Sequence, residues 1–430
     1  MRSNSHHLVL VVILLGAVAA LYRVASAPAA PQFQIPEYIG GYEISAPSVQ
    51  THFVTRTMNI HTHAASLVEL GNGQVRAFWF AGSQEGASDV EVRSAVYDPV
   101  NDHWSTEEVI ANRQDTQRAL HRYVKKIGNP VPYRSEDGRL WLFYVTVSLG
   151  GWAGSSITFT TSTDEGKSWS VPQRLITSPF LNISTLVKGT PFRFSDGTIG
   201  LPVYHEFIGK FGELLRVDQS GHILSKTRLS SGKQSLQPVL MVQSPVQAKV
   251  LMRYAGASPM RVLETSTTDA GEHWMAPHKT SLANPNSAIT GLVLPDGKFL
   301  MAVNDTEHGR NTLSLVITGD EGTTWKIAYQ LELQPSELLG KDQYAEIAAG
   351  LARATEADVT NAAGYASSAQ RTKCESQGCG FEFSYPYLIR TRKGDFHLVY
   401  TWNRSFIKHV RFNLAWLESQ IGQSDNAKLH

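Results

Sequence analysis

The sequence predicts an all-β protein, a six-bladed β-propeller in which six small antiparallel sheets surround one axis. An eight-residue turn motif with an Asp, a Gly and a closing Trp occurs three times after strand-like runs. Independently, a unit of apolar strand, tight turn and apolar strand occurs six times along the chain. Short strands repeated at intervals of roughly 40–65 residues are typical of propeller blades, so six units predict six blades.

The turn motif has a small or hydroxyl residue, Asp, one spacer, Gly, two spacers and Trp. Its copies are Ser162–Trp169, Thr267–Trp274 and Thr318–Trp325, and a degenerate fourth copy runs from Asp98 to Trp104. The Asp can accept hydrogen bonds from amides of its own turn, the Gly adopts a positive φ, and the Trp folds back over the turn. The residues predicted to have this structural role are Asp164, Gly166, Trp169, Asp269, Gly271, Trp274, Asp320, Gly322 and Trp325.

The second repeat is a β-hairpin. In most copies Asn-Gly or Asp-Gly stands between alternating apolar residues, which strongly favours a hairpin turn. The copies occupy residues 65–80, 130–145, 191–204, 238–252, 289–303 and 386–400. We expect the Asp-containing turns to fall in the later hairpin of their blades.

Composition agrees with this fold. Hydrophobic residues make up 42% and aromatic residues 10% of the 430 residues, which is ample for a core. The 34 Gly and 19 Pro suit a turn-rich all-β chain. A formal net charge of +1 offers no general attraction for nucleic acid, so any effect of charge must be local.

Residues 1–27 are predicted to be a secretory signal peptide or a membrane anchor. An apolar run over residues 8–22 precedes Ala25-Ser26-Ala27, a small-residue cleavage pattern, although Pro28 would hinder cleavage there. The run is shorter than the ~20 residues of a spanning helix. We therefore expect a periplasmic or secreted protein, and anchoring to the inner membrane by residues 8–22 is the open alternative.

The rest of the chain divides into a linker over 28–55 with a possible closing strand, the propeller over 56–418, and a C-terminal tail over 419–430. Within the propeller, residues 336–380 lack strand alternation and predict a helical insertion before the last blade, either a lid over the active face or a surface excursion. Cys374 and Cys379 are the only cysteines, and a local disulfide would suit an oxidising compartment. They offer too few ligands for a metal, so we expect neither a metal nor a cofactor.

The hairpin turns locate the residues at the mouth of the central channel. The first strands start at one rim, and the second strands, being antiparallel, return to it. The starts carry His63, Asn129, a residue between Lys188 and Thr190, Gln237, Ser287 and Tyr385. The returning ends carry His205, Glu206, Arg253, Asn304, Asp305, Asn403 and Arg404.

The returning loop of the first blade, residues 82–89, adds Glu85 and Asp89 to this rim, and Arg310 stands before a third strand. Polar residues are common at strand ends because loops are solvated, so any single one has this plain explanation. Several arginines that converge on one cavity repel one another unless an anion belongs there. The rim therefore predicts a site for an anionic ligand.

Because of its three Asp turns, the chain resembles the sialidase superfamily, in which such turns are called Asp boxes or BNR repeats. The resemblance covers most of residues 55–415. It implies a propeller in which three arginines clamp the carboxylate of the substrate, a Tyr paired with a Glu is the nucleophile, and an Asp is the acid/base. Arginine suits this task because its planar fork forms two parallel bonds to a carboxylate, and a neutral Tyr avoids the repulsion that an anionic nucleophile would meet.

By this resemblance, Arg253 corresponds to the second arginine of the family, Arg310 to the third, and Tyr385 to the nucleophile. Two positions depart from the pattern. His63 stands where the family has its first arginine, and Gln237 stands where it has the Glu partner of the Tyr. An imidazole cannot form the bidentate clamp, and a Gln cannot accept the proton of the tyrosine.

The first hypothesis is an exported glycoside hydrolase that cleaves a terminal acidic sugar, sialic-acid-like or uronate-bearing, from a glycan or polysaccharide. Tyr385 would be the nucleophile or proton donor, Glu85 or Asp89 the acid/base, and His63 a proton carrier or sugar contact. Glu206 is a further candidate, because it could supply the carboxylate that the family has at the position of Gln237. The residues expected to bind substrate are Arg253, Arg310, Gln237, Asn129, His205, Asn304 and Arg404. Two alternatives stay open, a non-catalytic glycan-binding propeller and a polysaccharide lyase that acts on uronic-acid glycans.

Overall fold

The computed structural model describes residues 11, 13–16, 18, 31–36, 46–178, 180–232, 234–356 and 361–426. Most of the predicted signal or anchor segment, residues 1–27, and part of the predicted linker therefore lie outside the described residues. No helix in the described part of the chain is long and apolar enough to cross a membrane.

Six antiparallel sheets form the blades of a propeller, as the sequence predicts. Blade one contains β2 (His61–Glu69), β3 (Val75–Gly82), β4 (Glu91–Asp98), β5 (His103–Trp104) and β6 (Glu108–Asn112). Helix α1 (Arg113–Leu120) leads to blade two, which contains β7 (Lys126–Arg134), β8 (Leu140–Val147), β9 (Ser155–Ser162) and β10 (Gln173–Arg174). Blade three contains β11 (Leu186–Val187), β12 (Phe192–Arg193), β13 (Ile199–His205), β14 (Phe211–Val217) and β15 (Ile223–Arg228).

The second half of the ring repeats this plan. Blade four contains β16 (Ser235–Val242), β17 (Ala248–Tyr254), β18 (Arg261–Thr267) and β19 (His278–Ala283). Blade five contains β20 (Thr290–Val293), β21 (Phe299–Val303), β22 (Thr312–Thr318) and β23 (Lys326–Leu333). Blade six contains β26 (Phe383–Arg390), β27 (Phe396–Trp402) and β28 (Phe406–Phe412), and helix α4 (Leu414–Asn426) follows it.

The ring is closed by a strand from the N-terminal side of the chain. Strand β1 (Val49–Phe53) pairs antiparallel with β28 and becomes the outermost strand of blade six. This is the closing strand expected within residues 28–55. Around the axis, β2 contacts β26 and β7, while β16 and β20 continue the ring to β26, so the innermost strands enclose one channel.

Apolar side chains fill the interfaces between neighbouring blades. Trp79 and Val399 join blades one and six, for example, while Met241 and Met301 join blades four and five. Comparable clusters occupy the other four interfaces. The inner strands of each sheet are therefore covered on both faces and are mostly apolar, whereas outer strands such as β15 and β19 are largely exposed and polar.

The three complete Asp boxes form the turn that the sequence predicts. In the first box, Asp164 accepts the amide of Ser168 at 2.9 Å, Gly166 has a φ of 87°, and the indole N–H of Trp169 donates to the carbonyl of Gly166 at 3.1 Å. The boxes at Asp269 and Asp320 repeat these bonds. Each box connects the third and fourth strands of its blade.

The degenerate fourth copy differs at its tryptophan. Asp98 still caps the turn by accepting the amide of Val100 at 2.9 Å. The indole of Trp104, however, donates to Nδ1 of His409 in blade six at 3.3 Å. In this copy the Trp therefore joins two blades and does not close its own turn.

The predicted helical insertion consists of α2 (Lys341–Thr355), α3 (Ala362–Lys373) and a short hairpin, β24 (Cys374–Glu375) and β25 (Gly378–Cys379), closed by a Cys374–Cys379 disulfide. Tyr365 of α3 packs on Phe53 and Phe406 of blade six, with ring centres 4.6 and 4.3 Å away. The insertion is thus packed on the flank of blade six, which favours a surface excursion over a lid. The predicted tail over 419–430 is, as far as Asn426, part of α4.

Candidate active site

The innermost strands of four blades bulge near the mouth of the channel. Each bulge contains a non-glycine residue with a positive φ, namely Ala64 at 54°, Asn129 at 46°, Gln237 at 50° and Tyr385 at 54°. Such a backbone is uncommon outside glycine, and bulges re-aim side chains next to functional sites. Three of the four predicted rim residues on these strands therefore occupy equivalent, strained positions.

The hydroxyl of Tyr385 lies between side chains of blade four. It accepts hydrogen bonds from Nε2 of Gln237 and from NH1 of Arg253, both at 3.4 Å. The same guanidinium donates to Oε1 of Gln237 at 3.3 Å. The structure thus brings these three residues together although they are far apart in sequence.

Tyr204 extends this group, and the sequence analysis missed it. Its hydroxyl accepts from Nε2 of Gln237 and from Nδ2 of Asn129, both at 3.5 Å. Burial, and then the neighbouring Tyr385, raise the pKa of Tyr204 well above its usual value. Because Tyr204 lies in the apolar strand β13, the sequence pattern marks it as a core residue.

His63 packs directly against Tyr385, and their ring centres are 4.2 Å apart. Its Nδ1 lies 3.0 Å from the hydroxyl of Thr401, whereas Nε2 is buried without a hydrogen-bond partner. Burial, assisted by the charge of Arg404, lowers the pKa of His63 well below 6.5. The imidazole is therefore neutral near pH 7.

Lys188, just after strand β11 of blade three, also reaches this group. It is 4% exposed, and its Nζ lies 5.8 Å from the ring centre of Tyr385 and 4.8 Å from that of Tyr387. Nζ donates to the carbonyl of Pro386 at 3.4 Å, and no carboxylate of a described residue forms an ion pair with it. Burial lowers the pKa of Lys188 to about 7. The sequence predicts a rim residue of blade three between Lys188 and Thr190 but does not single out Lys188.

A second cluster surrounds Glu382, three residues before Tyr385. Its carboxylate accepts from Nε of Arg404 at 2.9 Å, from Nζ of Lys373 at 2.7 Å and from NH1 of Arg310 at 3.4 Å. Burial opposes ionisation of Glu382, but the charges of Lys373 and Arg404 hold its pKa well below the usual range. Two of the predicted ligand-binding arginines are therefore already paired with a carboxylate of the chain itself.

Arg253 differs from these two arginines. Its Nε donates to Oδ1 of Asn286 at 2.6 Å, and the carbonyl of Asn286 accepts from NH2 of Arg310 at 3.0 Å. Asn286 thus links the two arginines. Within the part of the chain that is described, Arg253 forms no ion pair, so its charge remains available to a ligand.

The carboxylates predicted as acid/base groups are placed differently from one another. Glu206 is partly buried, and burial raises its pKa although the charge of Arg253 opposes this shift. Glu85 pairs with Arg404. Asp89 accepts from the amide and hydroxyl of Ser83, at 3.0 and 2.9 Å, and so caps its own loop.

Two residues predicted to bind substrate have local structural contacts. The ring of His205 stacks on Phe211 at 4.6 Å, and its Nε2 accepts the amide of Ile208 at 3.2 Å. Asn304 is fully buried, and its Nδ2 donates to the carbonyl of Phe383 at 2.8 Å. None of these contacts involves the group around Tyr385.

A group of possible metal ligands occurs outside the mouth. Asp269, Glu272 and His273 of the second Asp box are close enough to share an ion, and this is the one such group among the described residues. Asp269 already accepts the amide of His273, and all three side chains lie at the turn between the third and fourth strands. The group around Tyr385, in contrast, offers mainly nitrogen and hydroxyl donors, which suit an anion better than a metal.

Comparison with known proteins agrees with this architecture. The sequence profile of the BNR repeat-like domain matches residues 73–398, about three quarters of the chain. The chain belongs to the BNR repeat-like family. No curated protein matches it significantly in sequence.

Solved structures similar to this BNR propeller include sialidases. The Hadza microbial sialidase Hz136 is 15% identical with a TM-score of 0.61, over 82% of this chain and 66% of that one, so the chain spans just under two thirds of its length. The NanB sialidase of Streptococcus pneumoniae is 10% identical with a TM-score of 0.58, over 91% and 72%. A Dyadobacter fermentans protein of unknown function is 14% identical with a TM-score of 0.60, over 86% and 100%. At these identities the likeness shows the fold alone.

Proposed function

We propose that this protein is an exported glycoside hydrolase of the sialidase-like type that cleaves a terminal acidic sugar from a glycan. The observation that carries the proposal is the contact between the Tyr385 hydroxyl and Arg253, an arginine without an ion pair in the described part of the chain. A guanidinium beside a strained tyrosine offers an anion site and a nucleophile within one sugar ring of each other. The apolar run near the N-terminus and the Cys374–Cys379 disulfide support export.

In the proposed reaction the carboxylate of the sugar binds Arg253. The Tyr385 oxygen attacks the anomeric carbon, the glycosidic bond breaks, and a glycosyl–tyrosine intermediate forms that water then hydrolyses. The N–H donors of Gln237 and Arg253 stabilise the negative charge that develops on the Tyr385 oxygen before the bond forms. We assign the proton donor to Glu206, because its raised pKa favours the protonated form, whereas Asp89 caps its loop.

The proton of Tyr385 needs an acceptor other than Gln237. Two buried bases flank the Tyr385 ring, His63 and Lys188. A general base works best when its pKa lies near the working pH. With a pKa of about 7, Lys188 matches this requirement better than His63, so we assign the proton to Lys188, directly or through a water. His63 then orients the tyrosine ring.

The test is the release of sugar from acidic glycans by the wild type, Tyr385→Phe and Arg253→Ala. We expect both variants to lose most of the activity. Full activity in both variants would end the assignment. An unsaturated product that absorbs in the near ultraviolet would indicate a lyase acting on a uronate.

A second function, a non-catalytic glycan-binding propeller, is favoured by one observation. The side chains that contact the Tyr385 hydroxyl in the described structure, Gln237 and Arg253, are both donors, and neither can take its proton. This function predicts glycan binding without product, lost in Arg253→Ala and retained in Tyr385→Phe.

A further inference from the structure

A cavity of about 290 Å³ is lined by residues just before β7 of blade two and by residues after β10 of the same blade. Two arginines and several apolar residues line it: Arg122, Arg174, Ile176, Phe180, Leu181 and Ile183. Arg122 stands just before β7 and Arg174 ends β10, while residues 175–178 and 180–185 lie between β10 and the innermost strand β11. Since innermost strands start at the mouth, this cavity opens on the same side of the propeller as Tyr385.

The two arginines of this cavity, here called the Arg122–Arg174 pocket, form no ion pair within the described residues. Nε of Arg122 donates to the hydroxyl of Ser148 at 2.7 Å, and NH2 of Arg174 donates to the carbonyl of Asn182 at 3.4 Å. Nε of Arg174 is buried and has no partner. Burial, and then the charge of Arg122, lower the pKa of Arg174. Arginine does not lose its proton in proteins, so two like charges meet here without a counter-ion.

The apolar side of the pocket is unusually open to solvent. Phe180 is 94% exposed, Leu181 69% and Ile176 54%. Large apolar side chains grouped at the surface mark binding sites. Together with the guanidinium pair they match an acidic sugar, which has a charged group at one edge and apolar C–H faces on its ring.

The pocket is connected to the candidate active site through one segment of chain. The amide of Glu206 donates to the hydroxyl of Ser184, two residues after Asn182, at 2.8 Å. Glu206 in turn lies close enough to Arg253 for their charges to interact. A glycan whose terminal sugar is held at Arg253 therefore meets this segment next.

We propose that the Arg122–Arg174 pocket is a second anion subsite, which binds an acidic sugar in the interior of the same glycan. This proposal rests on the proposed function and extends it. The preferred substrate is then an acidic oligosaccharide or polysaccharide with several charged units, and a glycan with a single terminal acid is a poorer one.

The test measures binding by calorimetry with two probe pairs, α2,8-linked sialic acid and α1,4-linked galacturonate, each as monomer and tetramer. We expect one tetramer to bind wild type at least about tenfold more tightly than its monomer, since two charge-assisted contacts are added. Arg122→Gln/Arg174→Gln should lose this advantage and keep the monomer affinity. The control Arg139→Gln/Arg392→Gln removes the same charge at the hairpin turns and should keep the advantage.

A tetramer advantage that survives Arg122→Gln/Arg174→Gln overturns the proposal, as does a wild type that binds neither tetramer better than its monomer. If the double variant fails to fold, Phe180→Ser is the substitute test. It changes an exposed side chain, leaves Arg174 in place, and should also reduce tetramer binding. If tetramer binding depends on Arg122 and Arg174 but no sugar is released, the second subsite is supported and the proposed hydrolase is rejected. If sugar release depends on Tyr385 but the tetramer is not preferred, the hydrolase is supported and the second subsite is rejected.

Discussion

Two sets of positively charged side chains at the mouth of the propeller differ in whether a carboxylate of the chain neutralises them. Around Glu382, the charges of Arg310, Arg404 and Lys373 converge on one buried carboxylate. Beside Tyr385, Arg253 has only neutral partners, Gln237, Asn286 and the tyrosine itself. The cations around Glu382, here called the closed group, hold blade six and the insertion together. The residues around Arg253, here called the open group, leave a positive charge available to an external anion. An arginine near the mouth is therefore not sufficient for ligand binding. An arginine that is already paired with a carboxylate of the chain has no free charge to offer to a ligand.

The largest expected effect concerns the nucleophile of the open group. Tyr385→Phe removes the hydroxyl that accepts from Arg253 and Gln237, and activity on the true substrate should fall by at least about 10³-fold, since the attacking oxygen is lost. Release of sugar is the measurement. The matched control is Tyr387→Phe, which removes a hydroxyl two residues away and should retain activity. Equal losses in the two variants would assign the effect to structure.

The closed group should respond through stability. Glu382→Gln keeps the shape but leaves Arg310 and Lys373 without an ion pair among the described residues, while Arg404 keeps only its pair with Glu85. The free energy of unfolding should therefore fall by about 3–5 kcal/mol. Urea unfolding measures this loss. The control Glu85→Gln removes the more exposed partner of Arg404 and should cost less than about 1 kcal/mol. A Glu382→Gln variant as stable as wild type would contradict the division into closed and open groups.

The pH dependence of activity tests the role of Lys188 beside the open group. As the base, it must be neutral to accept a proton while Glu206 is still protonated, so activity should pass through a maximum, with one limb near pH 7, the value to which burial lowers the pKa of Lys188. Lys188→Met should lower activity by about 10²-fold and abolish the limb near pH 7. Lys188→Arg keeps a charge that does not titrate, and it should lack this limb as well.

The stability of the protein gives an independent readout of Lys188. Its folded pKa lies below the unfolded value of about 10.5, so the unfolded chain binds more protons between pH 7 and 10.5. Wild type should therefore gain stability relative to Lys188→Met as the pH rises through this window. A difference in stability that does not change with pH would mean that Lys188 is not a buried, titrating amine.

The smallest expected effect is at Arg253 itself. Arg253→Gln should weaken binding of an acidic monosaccharide by about 10- to 100-fold, because a charge-assisted contact is lost. Its unfolding free energy should fall by about 1–2 kcal/mol, less than in Glu382→Gln, since hydrogen bonds are lost but no ion pair is broken. Arg261→Gln, on the same blade but paired with Glu307, serves as the control for charge. Unchanged binding in Arg253→Gln would transfer the anion site to the closed group.

The sequence predicted the propeller and the meeting of Tyr385, Gln237 and Arg253, because two-residue alternation and turn glycines count positions along each strand. The same counting cannot tell where a side chain points once local hydrogen bonds compete. Asp89, His205 and Asn304 stand at the expected strand ends but form contacts with their own neighbours.

Residues outside the alternating pattern were harder to predict. Glu382 follows the disulfide hairpin, where no alternation gives a register, although its carboxylate decides which arginines are open. Tyr204 lies within an apolar strand, and only tertiary packing places its hydroxyl beside Gln237. The sequence predicts a tail from residue 419, whereas residues 419–426 continue the helix that begins at Leu414. The packing of this helix on blades five and six depends on long-range contacts such as Tyr329 with Trp416.

The most direct test of the central claim is to trap the intermediate. Wild type is incubated with fluorinated glycosyl fluorides of sialic acid and of a uronic acid, and intact mass and peptide mapping are measured. The account predicts one added sugar, attached to Tyr385 and absent in Tyr385→Phe and after competition with the free acidic sugar. A label on Glu206, or saturable binding of the sugar without any added mass, would contradict it.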